Sequence, residues 1–317
     1  MTDFDRKALH QFLTGRYDLD GLKTLCHHLD VDYDNLDGRT KDSLARELVR
    51  YMERVGRVGE LVTMQQQVEK HDPLPIISPN QLTDQRSLPV INYRIHEKSG
   101  IELIRIPAGP FTYGKNKLKI ELSDYWISRT PVTNSEYKRF LDANPGHRVP
   151  GVDGHRVDIC NWDEKSREFP AGKANHPVTL VSWEDARDFC NWSGLRLPTE
   201  QEWEKAARGM DGRIYPWGDA APTADYCNFD ENVGSTTPVG KYSPRGDSPY
   251  GCADMAGNVL EWTLSWQGKR EVRIVRGSSW DAHGRDLDTT SRNGIHSDTK
   301  AYRISFRVVE SLSDPTC

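Results

Sequence analysis

The 317-residue sequence lacks any long apolar run. Only 36% of its residues are hydrophobic, and no stretch reaches the about 18 consecutive apolar residues that mark a membrane-spanning helix. The first five residues supply neither the basic nor the apolar segment of a secretory leader. We therefore expect a cytoplasmic protein without a membrane partner.

An excess of positive charge is also missing. The chain carries 42 basic and 47 acidic side chains, a net charge of −5. Proteins that bind nucleic acid through bulk charge carry a cationic surplus. Nucleic acid is therefore not expected as a partner.

The cysteines form no metal or disulfide pattern. There are six, none arranged as Cys-x-x-Cys, and their spacing matches no zinc or disulfide framework. Cys26 and Cys190 fall on apolar faces of predicted helices, which indicates buried thiols. This use of cysteine favours the cytosol.

Residues 1–66 are predicted to form a small all-α bundle. Thr40 is a candidate N-cap, and flanking helices are expected over 5–13 and 58–66, broken by Gly15 and Gly56. Two apolar stripes have helical spacing, one at Leu22, Leu25, Cys26 and Leu29 and the other at Leu44, Leu48, Met52 and Val55.

Residues 67–97 contain several prolines and little periodicity, which is typical of a linker. In the alternative, part of this segment packs on the following domain. From residue 98 the sequence pattern changes. Apolar and polar residues alternate over 101–106, as in a strand, and a Pro-Ala-Gly-Pro turn and a further short strand follow.

Two helices are well marked in this second part. Ser182 and Asp185 form a capping pair before a helix that ends at Gly194, and Thr199 does the same before a helix that stops at Gly209. Glycine, proline, asparagine and aspartate then interrupt the chain every few residues, so short strands and long loops are expected. The predicted domain covers 98–310, with a tail at 311–317.

Ordered motifs across this domain resemble the formylglycine-generating enzyme (sulfatase-modifying factor) family. This resemblance implies an α+β fold, a loop-rich C-type lectin-like domain of the formylglycine-generating enzyme type with short strands and two helices. The motifs lie at 106–111, 131–134, 176–179, 195–200, 202–204, 215–218, 257–262, 276–280 and 306–307.

The resemblance does not extend to the catalytic residues. Enzymes of the family bind copper with two cysteine thiolates after an Arg-Gly-Gly-Ser-Trp motif, and thiolates are the soft ligands that Cu(I) needs. Ala282 and Leu287 stand at the matching positions, so we expect no copper and no enzyme activity. None of the histidines fits the iron motif of the related sulfoxide synthases. An oxidase with another metal arrangement, acting on a protein cysteine, remains the alternative.

The resemblance implies a structural calcium site. Hard oxygen ligands would come from the side chains of Asp254 and Glu261 and the carbonyls of Gly257 and Val259. In the alternative, the two carboxylates only accept backbone hydrogen bonds. A second family site would use Asn228 and the carbonyl of Phe229, although the loop there is short.

Residues 276–309 resemble the variable region of proteins diversified by retroelements, which mutate adenines in codons for ligand-facing residues. Small polar and aromatic residues of the kind that asparagine codons yield lie between the apparent framework residues Trp280, Arg285, Leu287, Arg292, Ile304 and Phe306. An ordinary polar loop is the alternative. The predicted ligand-binding residues are Asp281, Ala282, His283, Asp286, Asp288, Thr290, Ser291, Asn293, His296, Asp298, Thr299, Ala301 and Tyr302.

Two serines depart from the family pattern. Ser278 and Ser305 replace glycines in its Arg-Gly-Gly-Ser-Trp and Gly-Phe-Arg motifs. A side chain at these positions is expected to crowd the backbone.

The N-terminal bundle, over 5–64, resembles bacterial effector-associated, death-like adaptor domains. This implies an effector protein as partner, and the acidic residues between 30 and 37 would face a basic surface or else form a solvated connection. Together these features predict a non-enzymatic recognition protein that binds a protein ligand through 281–302. A scaffold with a fixed surface is a further alternative.

Overall fold

The computed structural model describes residues 6–16, 22, 25–26, 36, 40–54, 61, 93–151, 162–268 and 271–311. It contains two compact units, Met1–Arg86 and Ser87–Cys317, which we call the N-terminal and C-terminal units. The division falls within the segment 67–97 that the sequence marks as a linker. Across the described ranges, no helix combines the length and apolar character needed to cross a bilayer.

The described part of the N-terminal unit contains helices α1 (Arg6–Arg16) and α2 (Lys41–Arg54). Thr40 caps α2 as predicted, because its Oγ1 accepts the backbone N–H of Ser43 at 3.2 Å. The predicted break at Gly15 is wrong, since α1 continues to Arg16. A glycine in a helix costs only about 1 kcal/mol relative to alanine, and the buried apolar face of α1 offsets that cost.

The two predicted stripes meet in one core. Leu29, Val55 and most of 58–66 lie outside the described residues, but the remaining stripe positions are buried. The core consists of Leu9, Phe12, Leu13, Leu22, Leu25, Cys26, Leu36, Leu44, Ala45, Leu48, Val49, Met52 and Leu61.

The C-terminal unit is built from short strands. Its first sheet has the order β1-β2-β5-β10, all antiparallel, and its second has the order β8-β7-β6-β9, in which only β6 and β9 are parallel. Strands β3 and β4 form a separate hairpin. The strands are β1 (Tyr93–Ile95), β2 (Glu102–Ile106), β3 (Gly109–Tyr113), β4 (Leu118–Leu122), β5 (Tyr125–Ser128), β6 (Leu260–Trp266), β7 (Val272–Arg276), β8 (Arg292–His296), β9 (Ile304–Phe306) and β10 (Val309–Ser311).

Three helices are described in this unit, namely α3 (Asn134–Ala143), α4 (Trp183–Ser193) and α5 (Glu200–Arg208). The sequence analysis identified α4 and α5, and both predicted capping boxes are present. It did not identify α3, although Thr133 and Glu136 form the same reciprocal cap. This cap satisfies backbone donors that the first helical turn leaves free.

Buried aromatic rings on α3 and α4 pack against β9. Tyr137 stacks on Phe189 with centroids 5.7 Å apart, and Phe306 contacts both rings edge-on. Offset-stacked and edge-to-face contacts are the favourable geometries for such rings. These rings belong to an apolar cluster between α3, α4 and the second sheet, and another cluster packs the first sheet against α5.

A buried ion pair joins the two sheets. Arg307 follows β9 and binds Glu261 of β6 through two bonds, Nε to Oε2 at 2.6 Å and Nη2 to Oε1 at 2.7 Å. The same guanidinium donates to the carbonyls of Ser128 and Arg129 at the end of β5. Both charged side chains are fully buried, and Glu261 raises the pKa of Arg307 despite the opposing effect of burial.

Candidate ligand-binding site

Every predicted ligand-binding residue in 281–302 reaches solvent at least in part. His283, Asp286, Asn293, His296, Asp298 and Tyr302 are exposed, and the others are half-buried. Leu287, Ile304 and Phe306, assigned to the framework, are buried. Arg285 and Arg292 differ from that assignment, because their side chains are 81% and 45% exposed.

The exposed loop borders a polar cavity of about 890 Å³. Strand β7, the loop after it and strand β8 form one wall, and the tip of the β3–β4 hairpin forms the other. The predicted residues that line this cavity are Asp281, Ala282, Asp286, Thr290, Ser291 and Asn293.

A network of buried charges lies beneath the cavity. Arg276 donates from Nη2 to Glu204 at 2.6 Å, and Arg292 donates from Nη2 to Glu200 at 3.0 Å. Arg276 also donates to the carbonyl of Thr289 at 2.7 Å. Helix α5 thus holds β7, β8 and the intervening loop in place through carboxylates presented on one helical face.

Ala282 and Leu287, where the family resemblance predicts that two cysteines are replaced, have different environments. Ala282 is half-buried and lines the cavity, whereas Leu287 is 1% exposed and packs with Cys227 and Ala256. Neither side chain offers an electron pair to a metal. Leu287 instead anchors the loop in an apolar cluster that Tyr215, Trp217 and Phe229 adjoin.

The described cysteines provide no reactive thiol at the cavity. Cys26, Cys190, Cys227 and Cys252 are free and buried, as predicted for the first two. Burial raises the pKa of Cys227 to about 12 and that of Cys252 to about 11. These thiols are protonated at neutral pH, and the thiolate is the species that binds metal or attacks. Cys160 and Cys317 lie outside the described residues.

The other predicted ligand-binding residues lie outside the cavity lining. Asp288 is engaged within its own loop, since its carboxylate accepts the N–H of Thr290 at 2.9 Å and the hydroxyl of Ser291 at 3.0 Å. Tyr302 packs on the half-buried ring of Trp280, with centroids 5.8 Å apart. The predicted set therefore divides into a cavity lining, the aromatic pair and a surrounding surface that comprises His283, Asp288, His296, Asp298, Thr299 and Ala301.

The hairpin wall was missed by the sequence analysis. Tyr113, Lys115, Asn116 and Leu118 line the cavity although they precede the predicted segment by more than 150 residues in the chain. A turn of Gly-Lys-Asn-Lys between two alternating segments is a hairpin signal, but nothing local in it points to a site so distant in sequence.

The two serines that replace family glycines have different environments. Ser278 adopts a positive φ of 62° and lines the cavity, and its hydroxyl donates to the carbonyl of Asp286. This bond offsets the cost of the left-handed conformation. Ser305 is fully buried on β9. The expected crowding is thus seen as a strained backbone at Ser278.

Of the two carboxylates predicted to bind calcium, Glu261 is fully buried and Asp254 is half-buried. Asp254 accepts the N–H of Gly240 at 2.7 Å, and burial together with the nearby Glu261 carboxylate raises its pKa to about 6. Glu261 already accepts three hydrogen bonds, two from Arg307 and one from Trp203 at 2.7 Å. A carboxylate has about four acceptor positions, so Glu261 retains one acceptor position that could bind a metal ion.

The second predicted calcium position contains an unsatisfied oxygen. Asn228 is fully buried, and among the described residues its Oδ1 has no hydrogen-bond partner. Its backbone carbonyl accepts the N–H of Asn258 at 2.9 Å. A Cβ on Gly257 would lie 2.3 Å from that carbonyl, and Gly257 has φ of 77°, so this close approach requires glycine. The Phe229 carbonyl accepts from Asn232 at 3.0 Å.

Sequence comparisons assign both units to families. The sulfatase-modifying factor enzyme 1-like domain family matches residues 92–312, and effector-associated domain 7 matches residues 9–68. The first match covers more than half of the chain and includes every residue of the cavity.

The curated relatives include inactive and active enzymes. The inactive Cα-formylglycine-generating enzyme 2 of Bos taurus is 27% identical over 68% of this chain and 90% of its own length. The formylglycine-generating enzyme of Thermomonospora curvata is 42% identical over 56% of this chain and 77% of its own length.

A solved structure with the same fold is Treponema denticola variable protein 1. It has a TM-score of 0.51 and 21% sequence identity, over 70% of this chain and 99% of its own. The predicted fold class, a C-type lectin-like domain of the formylglycine-generating enzyme type preceded by a small helical region, is confirmed.

Proposed function

This chain belongs to the sulfatase-modifying factor enzyme 1-like domain family, and from that premise we propose that it is a ligand-binding protein rather than an oxidase. The C-terminal unit displays residues 281–302 as a recognition surface for another protein. The N-terminal unit recruits an effector protein. The single observation that carries the proposal is the cavity itself, which is lined by short polar residues of 281–293 and by no cysteine among the residues that the structure describes.

The character of the cavity lining supports binding. Asp281, Thr290, Ser291 and Asn293 are short polar side chains held on a rigid base by the charge network below them. Such residues serve as adaptable hydrogen-bonding groups in paratopes, where aromatic residues supply the anchors. The Trp280–Tyr302 pair is the matching aromatic anchor here.

Diversification of this surface follows from the same pattern. The predicted variable positions reach solvent, whereas Leu287, Ile304 and Phe306 between them are buried. Changes at the variable positions would therefore leave the core intact. The fold shared with the Treponema variable protein is compatible with this role and does not by itself establish it.

The N-terminal unit supports an adaptor role through its family. A match to effector-associated domain 7 indicates a module that acts together with an effector. We propose that ligand capture by the C-terminal unit is communicated to that effector in the cytosol.

Reading the DNA that adjoins the gene tests diversification. We expect a reverse transcriptase gene and a second copy of the segment coding for 276–309 that differs from it only at adenine positions. Codons for the buried residues Leu287 and Phe306 should be identical in the two copies. Substitutions scattered over all four bases, or the lack of any such copy, would contradict a diversified surface.

We also propose structural calcium. Asp254, Glu261 and the carbonyls of Gly257 and Val259 would hold one ion, and the unsatisfied Oδ1 of Asn228, with the Phe229 carbonyl, is suited to a second. Hard oxygen donors of this kind are what calcium prefers. The ion would neutralise the carboxylate of Asp254, because burial disfavours its charged form.

Calcium is expected to raise the melting temperature of the full chain at pH 7.5. A ligand at 100 times its Kd stabilises the folded state by about 2.7 kcal/mol. The Asp254→Ala variant should lose this response, whereas Asp225→Asn, which changes an exposed carboxylate, should keep it. The measurement is tryptophan fluorescence during heating with calcium or with chelator. Identical melting of the wild type in both conditions would contradict a calcium site.

A further inference from the structure

We propose that the tip of the β3–β4 hairpin is a fixed part of the ligand-binding site and that it binds an acidic segment of the protein ligand. This inference rests on the proposed ligand-binding function and adds the chemistry of the ligand. The hairpin tip is defined as residues 113–119, the turn together with the strand ends that flank it.

The hairpin tip faces the same cavity as the predicted variable residues. Tyr113, Lys115, Asn116 and Leu118 line it from one side, while residues of the 276–309 segment line it from the other. A ligand that enters the cavity between these walls therefore contacts the hairpin tip whichever residues occupy the variable positions.

A carboxylate under the cavity anchors the hairpin tip. The N–H of Gly114 donates to Glu204 Oε1 at 2.6 Å. Glu200 lies near Tyr113, and burial together with this carboxylate raises the pKa of Tyr113 to about 12. Glu204 and Glu200 also bind Arg276 and Arg292. Both walls are thus fixed to one helix, and a preorganised site loses little free energy on binding.

Lys115 of the hairpin tip is the one lysine among the described lining residues, and the exposed carboxylate of Asp286 in the lining lies 3.8 Å from Arg285. The guanidinium groups of the lining are all paired, Arg276 with Glu204, Arg292 with Glu200 and Arg303 with Asp281. By contrast, Lys115, Lys117 and Lys119 are exposed and form no ion pair within the part of the chain that the structure describes.

This charge distribution selects the ligand. Free ammonium groups attract carboxylates without breaking an existing pair, whereas a basic ligand would meet lysines and already neutralised acids. Leu118 is 55% exposed beside the lysines and offers an apolar contact. The complementary ligand is therefore a protein segment that combines several carboxylates with an apolar side chain.

The hairpin tip lies outside residues 276–309. Diversification of that segment would leave Lys115 and Leu118 unchanged, so the hairpin tip supplies a constant contribution to affinity. The variable wall would then supply selectivity between ligands that share an acidic segment.

The test uses the full chain and a fluorescein-labelled peptide of sequence Glu-Glu-Leu-Glu-Glu-Leu-Glu, with binding followed by fluorescence anisotropy. The peptide should bind, and its glutamine counterpart should bind about tenfold more weakly, as expected when surface ion pairs of up to about 1 kcal/mol each are removed. The Lys115→Gln/Lys117→Gln variant should also lose about tenfold. Lys165→Gln, an exposed lysine distant in sequence, should match the wild type.

A second pair of changes separates this inference from the proposed function. If Ser291→Ala/Asn293→Ala weakens peptide binding but the lysine changes do not, the hairpin inference is wrong and ligand binding in the cavity stands. If neither pair alters binding, both are wrong. Equal binding of a single-stranded DNA of the same length, lost on Lys115→Gln/Lys117→Gln, would overturn the assignment to an acidic protein. Failure of the acidic peptide to bind would overturn the inference itself.

Discussion

Replacing Arg307 by methionine is expected to lower the free energy of unfolding of the C-terminal unit by about 3–5 kcal/mol, because it leaves a buried carboxylate without its partner. Glu261 would keep its bond from Trp203 but would lose both bonds from the guanidinium. The carbonyls of Ser128 and Arg129 would lose donors as well. The hydrogen bonds that this guanidinium makes to the end of β5 would disappear, while the backbone bond from Ser128 to Val308 would remain.

Denaturant unfolding measures this effect. All nine tryptophans lie between residues 126 and 280, so their fluorescence reports on the C-terminal unit alone. Arg307→Lys keeps the charge and one donor and should lose less than methionine does. Arg105→Met removes a partly exposed pair with Asp124 and should cost less than about 1 kcal/mol. Equal midpoints for Arg307→Met and Arg105→Met would show that the buried pair does not stabilise the fold.

Local features of the structure were predictable from the sequence. The caps at Ser182 and Thr199 were identified because a capping box requires only two residues three positions apart. The equivalent box at Thr133 and Glu136 carries the same signal. No helix is predicted there, so the structure adds α3.

Contacts between distant parts of the chain were not predictable. The sequence assigned Glu261 to calcium through a family resemblance, whereas the structure shows that Arg307, 46 residues later, binds most of its carboxylate. The resemblance to variable proteins places Arg292 in the framework, yet its side chain is exposed and pairs with Glu200. Charged side chains such as Glu261 and Arg292 are positioned by ion pairs with residues distant in the sequence. The periodicity of the local sequence carries no signal for such pairs.

The cavity shows the same limit. The resemblance of 276–309 to the variable region of diversified proteins predicts the residues of one wall. The other wall, at Lys115 and Leu118, comes from a hairpin that a bond from Gly114 to Glu204 ties to α5. The site as a whole therefore needed the structure.

In the function proposed above, this family member binds a ligand and does not oxidise a protein cysteine. Leu287 is an apolar anchor, Ala282 has no ligand atom, and burial raises the pKa of the Cys227 thiol beside Leu287 to about 12. Thiolates are the soft ligands that Cu(I) needs, and these residues supply none.

Incubation of the full chain with Cu(I), oxygen and a cysteine-containing sulfatase peptide tests that claim most directly. An active formylglycine-generating enzyme assayed in parallel should convert the peptide cysteine to the aldehyde, which mass spectrometry detects. For this chain we expect the peptide to stay unmodified above the level of a protein-free control. Aldehyde formation that depends on the added chain would contradict the account.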